Sequence, residues 1–155
     1  MAYVKRRAVT ANVTDHVIKY YTHKRYCVSK EIGLCKRGRL RADFLALNTK
    51  REIIIVEVKS CVQDFRTDKK WHKYLPYCNK LYFALTEDTW RAVQSEIPKG
   101  IGVMILNDYG LTIVQSAKRR TVDLDHQLEI LTRLAFRQAD YNRYKYVHKI
   151  KNIGS

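Results

Sequence analysis

Residues 41–60 read RADFLALNTKREIIIVEVKS, two apolar runs around the polar link NTKR. Alternate side chains of a strand share a face. Arg41, Asp43, Leu45 and Leu47 therefore fall on one side of the first run, and Ile53, Ile55, Glu57 and Lys59 on one side of the second. Ile54, Val56 and Val58 take the opposite side. Pairing through so short a link brings Asp43 beside the Glu57 region. The second run is apolar enough to be buried, yet it ends on Glu57 and Lys59. A buried ion pair usually stabilises a fold less than apolar residues of the same volume, so these charges need another reason to be there.

The neighbouring segments frame this pair. Upstream, Thr14 or Asp15 is expected to cap a helix running to about residue 26, with Val17, Tyr20, Tyr21 and Lys24 on one face. CVSKEIGL (27–34) reads as a strand, and KRG (36–38) as a turn in which Gly38 takes positive φ. Downstream the period changes, and Val62, Phe65, Lys69 and His72 predict a helix over 62–74 that Pro76 ends. KLYFAL is a buried strand, and EDTWRAVQSEI a helix with acids in its first turn, where the dipole favours them. GIGVMIL and LTIVQS form a strand pair around NDYG. Asp123 or Asp125 opens a last helix, with Leu124, Leu128, Leu131 and Ala135 along one face. The result is one α/β domain over 1–155, a mixed sheet with helices on it, carrying a basic, aromatic extension over 139–155.

The charge is uneven. Residues 1–51 hold 13 lysines and arginines against three acids, and residues 118–155 hold nine against four. Residues 52–117 are balanced, and the whole chain carries +15. Basic ends around a neutral middle suit a polyanion partner, nucleic acid first. No apolar run approaches the ~20 residues of a membrane span, so no membrane partner is expected. The N-terminus lacks the apolar core of a signal peptide. Cys27, Cys35, Cys61 and Cys78 show no CxxC or zinc-ribbon spacing. Reduced thiols and an intracellular, cytoplasmic setting are expected. The sequence leaves homodimerisation open.

Asp43, Glu57 and Lys59 suggest a chemistry. Ligand sites of α/β sheets tend to lie beyond strand ends. Mg²⁺ takes hard oxygen ligands, usually one or two carboxylates, and keeps waters and substrate phosphate for the rest. Asp43 and Glu57 are the candidate ligands for Mg²⁺ or Mn²⁺, with the Val58 carbonyl as a third. Lys59 is the candidate for orienting the attacking water or stabilising charge on the phosphoryl oxygens. Lys36, Arg37, Arg39 and Arg41, in KRGRLR, lie on the turn leading to Asp43 and are candidate backbone grips. Ser60 could contact a phosphate, but the cap of the next helix is the preferred reading. Asp64, Asp68 and Lys70 read as a solvated helix face, and Phe65 and Trp71 as packing. Tyr141, Tyr144 and Tyr146 alternate with Arg143, Lys145, Lys149 and Lys151, a mixture that suits stacked bases and phosphates. It equally suits a helical extension.

Asp43 followed by EVK, on an order of helix, three strands, helix, strand, resembles the PD-(D/E)XK nuclease superfamily. Within it, GRLRADFLAL (38–47), IVEVKSCVQDFRTDKKWHKYLPYCNKLYFAL (55–85) and LTRLAFR (131–137) resemble the MmcB-type DNA repair proteins. The resemblance implies a restriction-endonuclease-like core in αβββαβ order, with extra C-terminal strands and a helix. It also implies Asp43, Glu57 and Lys59 as the catalytic motif, with Ala42 where the nominal proline would stand. Many members add a carboxylate near the start of the fold, for which Glu31 is the candidate and Asp15 the alternative. The expected function is metal-dependent cleavage of DNA, with RNA left open, in repair or recombination. A non-catalytic nucleic-acid-binding protein on the same fold is the alternative.

Overall fold

The computed structural model describes residues 2–36 and 39–153, and the side chains of 4–36 and 39–145. Arg37 and Gly38 of the expected turn lie outside the described residues, as do the side chains of Tyr146, Lys149 and Lys151. The chain runs α1 (Ala2–His23), β1 (Cys27–Gly33), β2 (Arg41–Leu47), β3 (Ile53–Lys59) and α2 (Val62–Thr67). A 3₁₀ segment, Trp71–Tyr77, leads to β4 (Lys80–Thr86). Then come α3 (Glu87–Val93), β5 (Gly102–Asn107), β6 (Gly110–Gln115) and α4 (Leu124–Ile153). The six strands form one mixed sheet in sequence order. β1, β2 and β3 are an antiparallel meander, β3, β4 and β5 run parallel, and β6 returns antiparallel.

Period-2 alternation divides the core into two layers. Leu45, Ile53, Ile55, Leu81, Phe83 and Val103 face α2, the 3₁₀ segment, α3 and α4. Phe44, Ile54, Val56, Val58, Ala84 and Met104 face α1, which contributes Val13, Val17 and Tyr21. One helix thus covers a whole sheet face. Gly102 is required where β5 passes Tyr82, because a Cβ there would stand 2.3 Å from the ring.

Three helices differ from the sequence expectation. α1 begins at Ala2, not near Thr14, because Val9, Val13 and Val17 extend one apolar stripe along the sheet. Thr14 is interior, and its hydroxyl donates to the Thr10 carbonyl at 2.7 Å. The helix ends at His23, with Arg25 at φ 62° and the Tyr26 N–H returning to the Tyr21 carbonyl at 3.0 Å. That is a Schellman closure with arginine in the usual glycine place. The helix expected over 62–74 breaks after Thr67. Asp68 leaves helical dihedrals (φ −74°, ψ 106°), and its carboxylate accepts the Lys70 N–H at 2.7 Å. Pro76 lies inside the 3₁₀ segment and ends nothing. α4 is capped by Asp123, which accepts the His126 N–H at 2.9 Å, but it is rotated from the expected face. Ile130 and Leu134 pack on the core, while Leu124, Leu128 and Ala135 are exposed and Leu131 is half-buried. Polar contacts help hold that rotation. The Arg137 guanidinium donates to the Ser29 hydroxyl and to the Lys30 and Glu31 carbonyls.

Candidate functional site

The regular ladder between β2 and β3 runs from Leu47↔Ile53 to Phe44↔Val56. One step further the side chains take over the pairing. The Asp43 N–H donates to Glu57 Oε1 at 3.0 Å, and the Val58 N–H donates to Asp43 Oδ2 at 3.0 Å. Each carboxylate satisfies a backbone donor of the other strand. Among the described residues, no hydrogen bond reaches Asp43 Oδ1.

Burial sets the electrostatics. Glu57 is 3% exposed and Asp43 half-buried. Desolvation disfavours a buried carboxylate's charge, and a second carboxylate alongside disfavours it further. Burial, followed by the neighbouring Asp43 charge, pushes the Glu57 carboxyl up to about 8. Burial also raises Asp43, although the Val58 N–H and Lys59 oppose it. Lys59, 6% exposed, does not relieve the pair fully. Its Nζ is 2.7 Å from Asp68 Oδ2 and 3.8 Å from Glu57 Oε2. Burial alone would lower the Lys59 pKa, but Asp68 and then Glu57 raise it, so the ammonium keeps its proton.

Two cavities open on this cluster. One, of about 430 Å³, is lined by Arg7, Thr10, Asp15, Glu31, Asp43 and Val58, among others. The other, of about 530 Å³, is lined by Asp43, Glu57, Lys59, Asp64, Asp68 and Lys70, among others. Glu31 reaches its place through an unusual backbone. It has φ 47° inside β1, and Arg137 donates to the Lys30 carbonyl before it and to its own carbonyl. A carboxylate-lined recess with the buried, protonated Lys59, at the splayed end of two strands, has the donor chemistry to hold a hard cation and a phosphoryl group.

The MmcB-like family of DNA repair proteins matches residues 4–147. The chain belongs to that family. No curated protein matches it. The solved structure of a Silicibacter pomeroyi protein of unknown function has a similar fold, with a TM-score of 0.74 and 22% identity over 90% of each chain. For this member of the MmcB-like family, Asp43, Glu57 and Lys59 come together as the alternation predicts, and Val58 joins them through its backbone N–H. Glu31 and Asp15 both line the cavity that Asp43 opens on. Arg41 is exposed, 3.9 Å from Glu31. Lys36 and Arg39 are exposed and line neither cavity, and Tyr144 and Lys145 are exposed on α4.

Ser60 does not cap α2 as expected. Its N–H and hydroxyl both donate to Asp64, at 2.9 and 3.0 Å. Asp64 and Asp68 are not a solvated face either, since one holds Ser60 and the other holds Lys59. Asp68 became visible only when the helix broke beside it. Asp64 carried a signal in its spacing, four residues from Ser60. No helix among the described residues is long and apolar enough to cross a membrane.

Proposed function

We propose that this chain is a Mg²⁺- or Mn²⁺-dependent DNA nuclease of the PD-(D/E)XK type, hydrolysing phosphodiester bonds in repair or recombination. The cross-strand pair Asp43–Glu57 carries this reading. A buried and a half-buried carboxylate meet at the strand end, and the nearest ammonium sits closer to a third acid, Asp68. Unpaired buried charge is costly, and the raised carboxyls express that deficit. A divalent cation is the group that would remove it. Among the described residues, no three histidine, cysteine or acidic side chains converge as a ready cluster. Mg²⁺ needs no such cluster, since one or two carboxylates and waters suffice. Asp43 and Glu57 would hold the ion, with the Val58 carbonyl completing the protein ligands.

Such an ion, when bound, acidifies water and polarises a phosphoryl oxygen. Lys59, kept protonated by Asp68, presents positive charge to the phosphoryl oxygens as they become more negative. Asp68 acts through Lys59 and is a positioning residue. Membership of a DNA repair family and the net charge of +15 support DNA as the substrate.

The test is cleavage of single-stranded, duplex, flapped and branched DNA with Mg²⁺ or Mn²⁺, wild type beside Glu57→Gln. The wild type is expected to cut and the variant to bind without cutting. A wild type that binds duplex DNA but leaves every substrate intact with both metals would replace the nuclease by a binding module.

A further inference from the structure

The basic N-terminal sequence AYVKRRAVT, which precedes the expected helix start, forms the first part of α1 and lies against the site. A third cavity, of about 300 Å³, is lined by Arg6, Arg7, Thr10, Ser60, Gln63 and Asp64, with Thr67. All three cavities share Thr10. They are therefore parts of one groove around the exposed edge of α1. Its floor is the Asp43–Val58 end of the sheet, α1 is one wall, and α2 with the residues after it is the other. Arg6 spans the groove, donating from Nη2 to Gln63 Oε1 at 2.9 Å.

The charge along this groove is ordered. The floor and the α2 wall carry Asp43, Glu57, Asp64 and Asp68. A polyanion is repelled by that cluster and has to be held from its rims. The α1 rim bears Arg6 and Arg7, with no acid in the helix before Asp15. The opposite rim bears Lys69 and Lys70. Guanidinium groups match phosphate with two parallel N–H donors, which fixes orientation as well as charge.

We propose that α1 is the strand-holding wall of this site, with Arg6 and Arg7 taking the phosphates next to the one that lies over Asp43. The inference rests on reading the site as one that acts on DNA, and it moves the main grip away from KRGRLR. The strand crosses from the Arg7 rim, over Asp43, to the Lys69–Lys70 rim.

The experiment measures binding of labelled single-stranded and duplex oligonucleotides by fluorescence anisotropy across a salt series, without metal. The proteins are wild type, Arg6→Gln/Arg7→Gln, Arg7→Lys and Lys36→Ala/Arg39→Ala. Each phosphate contact contributes about 0.7 on single strands, or about 0.9 on duplex, to the slope of log K against log salt. The α1 double variant should therefore lose roughly 1.4 to 1.8 of that slope. Arg7→Lys should keep the slope and bind more weakly than wild type. The turn variant should lose less than the α1 variant. Arg6 and Arg7 are exposed, so the variants should melt with wild type. Arg7→Gln alone leaves the Arg6–Gln63 bridge in place and gives the same test if the double variant melts early. A turn variant that loses more than the α1 variant overturns the proposal while leaving the DNA reading intact. A wild type that binds no oligonucleotide overturns both.

Discussion

Glu52, one residue before β3, and Glu57, within it, stand about 17 Å apart at ~3.3 Å per residue, and both are buried, at 8% and 3% exposure. Glu52 is surrounded by partners. Lys80 and Arg119 each approach its Oε1 at 3.0 Å, and the Tyr26 hydroxyl donates to its Oε2 at 3.1 Å. Burial pushes its pKa up, and those partners, Lys80 foremost, outweigh burial and bring it below the usual carboxylate range. Glu57 lies beside the Asp43 carboxylate, with the Lys59 ammonium 3.8 Å away but drawn to Asp68, and its pKa goes the other way. The same residue type at similar depth is thus neutralised by the fold at one strand end and left in deficit at the other. That deficit is what the proposed cation would offset.

The sharpest way to break this comparison is to remove each charge in turn. Glu57→Gln should abolish metal-dependent cleavage, by more than ~10³-fold since a metal ligand and its charge go together. It should leave the melting temperature unchanged or raised, because Gln keeps the acceptor for the Asp43 N–H and removes a carboxyl whose ionised form is costly to bury. Glu52→Gln should do the reverse, costing about 1–3 kcal/mol from lost charge-assisted hydrogen bonds and leaving cleavage near wild type. Thermal melts beside cleavage rates decide it. If both variants lose stability and only stability, the deficit at Glu57 has no functional meaning.

Lys59→Ala sharpens the same contrast. One electrostatic group is worth about 10²–10³ in kcat, and metal affinity should not fall, because a repulsive charge leaves. Asp68→Asn should show a smaller loss of kcat, since Lys59 stays but is no longer held. Calorimetric metal titration with single-turnover cleavage separates the two. A Lys59→Ala protein that cuts at the wild-type rate removes the ammonium from the mechanism.

Much of this geometry was legible in the sequence. Strict alternation in IIIVEVK put Glu57 and Lys59 on one face, and the short NTKR link fixed which residue of β2 met them. The partners of those groups were not legible, for physical reasons. Asp68 meets Lys59 only because the chain leaves helical dihedrals there, and no propensity in TDKKWHKY marks that break. Arg7 and Thr10 reach the site because α1 starts at Ala2, twelve residues before the cap-like Thr14. The Val9–Val13–Val17 stripe runs past the cap-like Thr14, so the apolar spacing, not the cap, marks this helix's extent. On α4, leucine spacing pointed to Leu124 and Leu128, while packing of Ile130 and Leu134 together with the Arg137 contacts decided the rotation. Periodicity shows that a face is apolar; it does not show which polar contacts turn a helix.

Acidity offers a third way to sharpen the comparison, with opposite signs at the two ends. Glu57 has a raised folded pKa, so its proton favours the folded metal-free protein below the ordinary carboxylate range. That contribution is lost as pH rises through about 8. Glu52 has a lowered folded pKa, so its contribution is present above the ordinary range and lost as pH falls through the folded value. Melting of metal-free protein from pH 4 to 9 should show both limbs. Glu57→Gln should flatten the alkaline one and Glu52→Gln the acid one. Added Mg²⁺ should stabilise the wild type most at the alkaline end, where the ligand is ionised, and should stabilise Glu57→Gln less. An alkaline limb that survives in Glu57→Gln would assign it to another group.

The smallest expected effect tests whether the two ends are independent. Tyr26 donates to Glu52 and accepts from Asn48 Nδ2 at 3.2 Å, and its ring packs edge-on to Tyr21 at 5.2 Å. Tyr26→Phe keeps the ring and removes one hydroxyl from a carboxylate that still has two cations. The cost should be about 0.5–1.5 kcal/mol, read as a small drop in denaturation midpoint with an unchanged slope. Cleavage should not change, because the deleted group sits at the far end of β3 from Asp43 and Glu57. Changes at distant sites normally add, so Tyr26→Phe combined with Lys59→Ala should show the separate losses and no more. A Tyr26→Phe protein whose kcat fell in step with its stability would mean that β3 transmits strain between its ends, and the two glutamates could no longer be treated as separate cases.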